Sequence, residues 1–229
     1  MTHAANARLA GFTFLAYIAT GILSLVLFSR AAAGASVVAR LASIAQHATT
    51  VRFVAVLTLF TFFEAVVLGV TLWALTRDED SDVAMLALCC RVGEGVLGAA
   101  AAVRTMQLLS VATASTPATD GAATALGASL LSQGDSSTAI GATCFAVGST
   151  LFSYLFLRAR SIPVPLAGLG VLASVLLVIA LPVDLAGFLP GSLAWPIWLP
   201  MLVFEVLLAL WLINKGVTLP VPRPSRERA

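Results

Sequence analysis

Six apolar runs, each bounded by charged residues, constrain this chain more than any other feature of its sequence. The first lies between Arg8 and Arg30, the second between Arg52 and Arg77, and the third between Asp82 and Arg104. The fourth lies between Asp135 and Arg158, the fifth between Arg160 and Asp184, and the last runs from near Gly191 to Lys215. Each holds roughly 21–24 residues, and a helix needs about 20 to cross the hydrocarbon core, so each is long enough to span once. Spans are expected at about 9–29, 53–76, 83–104, 137–157, 164–184 and 192–214. Barrel strands would be about half as long and would alternate in polarity, which these runs do not. The expected fold is therefore all-α: a polytopic membrane protein with six transmembrane helices in a bundle. Residues 1–216 would form that one domain, and 217–229 a basic, proline-rich cytoplasmic tail. Charged residues make up only 10% of the chain, against about 25% in soluble domains, so it lacks the polar surface to face water all round.

The first run imitates a signal peptide, with Arg8 before it and Ala31-Ala32-Ala33 after it, but a signal core is about 7–15 residues and this run is longer. It is read as a span. Six spans place the N-terminus, the second and fourth loops and the C-terminus on one side. That side collects Arg8, Arg77, Arg158, Arg160, Lys215, Arg223, Arg226 and Arg228, against Arg30, Arg40, Arg52 and Arg104 opposite. Eight against four predicts cytoplasmic termini for an inner-membrane protein. Trp73 and Trp211 then fall at the inner interface and Trp195 and Trp198 at the outer one. The basic residues are scattered between apolar blocks, so nothing in them suggests a nucleic-acid partner, and none is expected. Cys89, Cys90 and Cys144 lie inside apolar runs without metal-ligand spacing and read as small buried hydrophobes.

Short interfacial helices are expected in the first and third loops. In the first, Val37, Val38, Leu41, Ile44 and Ala45 share one helical face, with Arg40, Ser43 and His47 away from it. In the third, Ser115 to Gly121 breaks the chain by turn chemistry, and the stretch from Ala122 to Leu131 reads as interfacial or re-entrant before Gly134 and Asp135. Pro182 is expected to end the fifth span, and Pro196 and Pro200 to bend the sixth.

Charge inside the spans is costly, so each such residue asks for a reason. Counting about 1.5 Å per helical residue from the cytoplasmic ends puts Glu64 roughly 19 Å deep, Arg91 about 13 Å, Glu94 about 18 Å and Glu205 about 15 Å. Tyr17 reaches the same layer, and Thr61 and Thr71 share the face of Glu64. The spacing of three puts Arg91 and Glu94 one turn apart on one face, where each can neutralise the other. One arginine against three carboxyls leaves an excess of negative charge, so either a glutamate holds a proton or a cation or cationic ligand sits there. Arg91, Glu94, Glu64, Glu205, Tyr17 and Thr61 are the candidate ligand- or proton-binding residues.

Gly93-Glu94-Gly95-Val96-Leu97-Gly98 fits the dinucleotide fingerprint, but that motif needs a preceding strand and an accessible helix start, and this stretch lies mid-helix in lipid. Gly95, Gly98, Ala99 and Ala102 read instead as small residues that admit a neighbouring helix. No cofactor or metal is expected. His3 and His47 lie outside the spans, and no zinc-protease or nucleophile-elbow pattern occurs, so intramembrane hydrolysis is disfavoured.

Four further stretches carry a resemblance: Ala7-Arg8-Leu9-Ala10-Gly11-Phe12, Arg91-Val92-Gly93-Glu94, Tyr154 to Arg158 before Ile162-Pro163, and Phe204 to Leu212 followed by Lys215-Gly216. In order and spacing they resemble the bacterial membrane family called domain of unknown function 4386. That resemblance implies six spans and carries over no activity. A histidine that the family pattern places in the fourth span, near Gly148, is absent here. Internally, Phe63-Glu64-Ala65-Val66 is similar to Phe204-Glu205-Val206-Leu207, which places the two glutamates at equivalent depth. The function expected is binding or transport of a small polar or amphipathic molecule, with or without a proton, at the charged layer, Arg91 holding an anionic group or anchoring the glutamates. Two rival readings are a membrane interaction protein with a static polar core and an intramembrane lipid-modifying enzyme. The expected partners are the bilayer and an unidentified small molecule or lipid, and the same pattern is compatible with a homo-oligomer or with a second membrane protein.

Overall fold

A computed structural model describes residues 2–114, 120–190, 193 and 195–218, with the backbone alone described at 120 and 133–137. Among these residues the regular structure is helical: α1 (His3–Ala31), α2 (Val37–Gln46), α3 (Ala48–Thr76), α4 (Ser81–Ala114), α5 (Asp120–Ala159), α6 (Val164–Leu185) and α7 (Leu199–Asn214). Six segments, all but α2 contributing one, are long and apolar enough to cross a membrane. A helix satisfies every backbone polar group within its own segment, which is what a solvent of lipid demands. Large apolar side chains such as Phe12, Phe60, Leu172 and Ile179 accordingly point outward from the bundle.

The six long helices close into a ring: α1 packs on α3, α3 on α4, α4 on α5, α5 on α6, α6 on α7, and α7 returns to α1. One end of the ring gathers the N-terminus, the turn after α3, the turn after α5 and residues 215–218. His3 Nε2 lies 3.7 Å from Asp78, Arg158 pairs with Glu79 at 2.8 Å and Asp80 at 3.1 Å, and the Thr218 N–H donates to the Ser161 carbonyl. Asp80 also accepts from the Val83 N–H at the start of α4. That bond first, and Arg158 beside it, hold the Asp80 carboxyl below the usual carboxylate range.

At the opposite end α4 and α5 outrun the bilayer. Forty residues of α5 extend about 60 Å, twice the hydrocarbon thickness of about 30 Å. Residues 122–131 are helical, but they run through Gly134 and Asp135 into the fourth span without a break, so the third-loop helix is a continuation of α5. The helix of the first loop, α2, docks against α4 and this extension. Leu41 and Ile44 bury with Val51, Leu108, Leu109 and Ala112 in a second small core, while Val38 faces outward at 61% exposure. The α2 register is set at its start by Ser36, whose side chain caps the Ala39 N–H, and by Arg40, whose Nε donates to the Ala32 carbonyl.

Pro182 does not end α6, which continues for three residues to Leu185. Pro196 opens a single 3₁₀ turn, Pro196–Trp198, and Pro200 sits in the first turn of α7, where a missing N–H costs nothing. Of the turn expected at Ser115 to Gly121, residues 115–119 lie outside the described residues, as does most of the 217–229 tail, while Asp120 and Gly121 already belong to α5.

The candidate site, a carboxylate-floored cavity

The two halves of the ring are filled differently. Towards the terminal end, Phe14, Leu68, Leu72, Phe152, Phe156, Phe204, Leu208 and Leu212 pack into one core. Towards the other end the helices carry smaller residues on their inner faces, among them Gly21, Thr58, Gly98, Ala101 and Gly141, and a cavity of about 580 Å³ remains. On α4 its lining runs from Glu94 to Ala101, seven residues or about 10 Å along the axis. Tyr17 on α1, Ala65 on α3, Glu94 on α4, Phe145 on α5 and Glu205 on α7 form its floor, and Trp195 and Trp198 stand at its rim. The walls are almost wholly apolar.

Arg91 is the pivot beneath that floor. Its side chain is 1% exposed, and its Nη1 lies 2.9 Å from Glu94 Oε2, an ion pair without the alignment of a good hydrogen bond. The guanidinium carbon stands 5.3 Å from the ring centre of Tyr17 and 5.1 Å from that of Phe145. Both distances suit attraction between a cation and an aromatic face. Tyr17 in turn donates its hydroxyl proton to Glu94 Oε1. The stem of Arg91 fits a slot between two glycines: a Cβ on Gly69 would come within 3.0 Å of Arg91 Cβ, and one on Gly148 within 3.5 Å of Arg91 Cδ.

Glu205 completes the floor from α7. It is 5% exposed, it lines the cavity, and its Oε1 has no hydrogen-bond partner among the described residues. Thr61 also lines the cavity, although its hydroxyl donates to the Leu57 carbonyl of its own helix. Thr71 is buried elsewhere, donating to the carbonyls of Val67 and Leu68.

Glu64 does not join this group. Its Oε1 accepts from Thr20 at 3.2 Å on the α1–α3 seam, it makes no ion pair among the described residues, and it is absent from the cavity lining. The reason is azimuth. Thr58, Thr61, Phe62 and Ala65 form the i, i+3, i+4, i+7 stripe facing the cavity, and Glu64 is turned about 100° from Ala65. Equal depth therefore does not carry the likeness between Glu64 and Glu205 into equal surroundings. Arg91 is likewise not on the lining: it sits behind Glu94 and faces no open space through which it could hold an anionic group.

The small residues divide in the same way. Gly95 admits α3, since a Cβ there would come within 3.0 Å of Phe62, whereas Gly98 has nothing within 4 Å of that position and serves the cavity instead. Gly69, Gly148 and Phe145 house Arg91, a role that the spacing of charged residues does not reveal. Counting depth for the glycines would have found two of them, at roughly 12 and 15 Å from the same end as Arg91.

Among the described residues no group of histidine, cysteine and carboxylate side chains is placed to hold a metal ion. No curated protein and no solved structure matches the chain. A family model does match, over residues 9–216, and the chain therefore belongs to the membrane-protein family described as Domain of unknown function (DUF4386).

Proposed function

We propose that this membrane protein binds a small amphipathic molecule in the cavity between its helices and moves it with respect to the bilayer, the polar end of the ligand resting on Glu94, Glu205 and Tyr17. The observation that carries the reading is a cavity of about 580 Å³, within the roughly 300–1,000 Å³ of small-molecule sites, whose polar floor is buried at mid-helix. A purely structural clasp would pack dry around its charges, and Arg91, Glu94 and Tyr17 do so on one side only. On the other side Glu94 and Glu205 face open volume. Glu205, with an oxygen free of protein partners, is the group that would exchange a proton if movement is proton-coupled. The family resemblance suits a bacterial inner membrane, and the distribution of arginines supports both termini in the cytoplasm, which opens the cavity to the far side. Native mass spectrometry of the purified protein tests the reading against Gly98→Leu, which fills the cavity where a Cβ has no neighbour within 4 Å. A small molecule should co-purify with the wild type and be lost from the variant; identical spectra would remove the basis for a binding site.

A further inference from the structure

The lining of the cavity is selective in charge as well as in shape. Of the ionisable groups at its floor, Glu94 and Glu205 line the cavity, Tyr17 lines it as a phenol already committed to Glu94, and Arg91 does not line it. The lining stretches of α3 and α5 contribute threonines, glycine, alanines and phenylalanines and no ionisable group. Arg91 pairs with Glu94 at 2.9 Å from behind the floor, and its field also reaches Glu205. A ligand entering from the rim therefore meets the Glu205 side chain, 5% exposed, at a floor where two carboxyls share one guanidinium. An anionic head would be repelled there. A cation would instead supply counter-charge, and Trp198 at the rim offers a ring of the kind that stabilises a desolvated cation, Tyr17 and Phe145 already facing Arg91.

We infer that the ligand class is an amphipathic monocation, a hydrophobic amine or onium, with its charged head against Glu205 and its apolar body along the wall towards Trp198. This rests on the reading of the cavity as a binding site, and it reverses the assignment of an anionic group to Arg91.

The test uses the full chain in nanodiscs of zwitterionic lipid, with empty discs subtracted. Radiolabelled tetraphenylphosphonium is compared with tetraphenylborate, which has nearly the same shape and the opposite charge. Saturable binding of the phosphonium is expected, with the borate weaker by at least about tenfold. Glu205→Gln should weaken phosphonium binding by at least about tenfold, as loss of a charge-assisted contact does, while Glu64→Gln on the α1–α3 seam leaves it unchanged. Gly98→Leu should abolish it. Equal binding of the two probes would overturn the cationic class and leave the cavity as a site, as would unchanged phosphonium affinity in a folded Glu205→Gln. Binding of neither probe to the wild type would overturn both readings. Should Glu205→Gln fail to fold, the wild-type preference between the two probes decides the matter by itself.

Discussion

Replacing Arg91 by methionine tests the electrostatics of the centre most directly. The side chain is 1% exposed and its partner Glu94 9%, so water screens the pair little. With N···O at 2.9 Å the charge centres are about 4 Å apart, where two unit charges attract by about 4 kcal/mol at an effective dielectric of about 20. Methionine keeps most of the stem volume in the slot between Gly69 and Gly148, so packing loss is small and the charge effect dominates. Stranding a buried carboxylate costs about 3–5 kcal/mol, and that is the destabilisation expected for Arg91→Met. Glu94→Gln alone strands the cation instead, although Tyr17 can still donate to the amide oxygen. Removing both charges should recover much of the loss, leaving a coupling energy of at least about 2 kcal/mol between the two sites. A double-mutant cycle by reversible unfolding in mixed micelles reads this directly. A coupling below about 0.5 kcal/mol, the level of independent sites, would refute the view that the buried pair organises the centre.

Three further outcomes follow from particular contacts. Gly69→Val should destabilise by about 1–3 kcal/mol, because its Cβ meets Arg91 and Leu88 at 3.0 Å, while Gly98→Ala, with open space around it, should be near neutral in the same unfolding assay; equal effects would contradict the slot. Asp80 is held below the usual carboxylate range by the Val83 N–H and Arg158, so its contribution is fully present above the ordinary value of about 4 and is lost as pH falls through the lower folded value. The stability gap between wild type and Asp80→Ala should therefore narrow only below about pH 4, and a gap that narrows between pH 7 and 5 would tell against this assignment. Reporter fusions after Ala229 and in the first loop near Arg40 should report cytoplasm and periplasm respectively, and periplasmic activity at the C-terminus would invert the proposed topology.

The number of crossing helices and their approximate limits were legible in the sequence because lipid imposes a one-dimensional rule: a predominantly apolar run of about 20 residues either spans or is too costly to expose. Pairing of Arg91 with Glu94 was legible for a similar reason, since a spacing of three fixes two residues on one helix face whatever surrounds them. Depth along each axis was also readable, because helical rise is constant, and it gathered Tyr17, Arg91, Glu94 and Glu205 correctly into one layer. Azimuth between helices was not. Glu64 shares that depth but looks along the α1–α3 seam, because the rotation of α3 is set by how Phe62 and Ala65 meet Gly95 on α4. Which side of the charged cluster is open was equally hidden: phenylalanines and leucines fill one half of the ring, whereas Gly21, Thr58, Gly98, Ala101 and Gly141 leave room in the other, a difference that exists only once six helices from distant parts of the chain have closed. Tertiary packing alone therefore decided that carboxylates, and not the arginine, face the cavity.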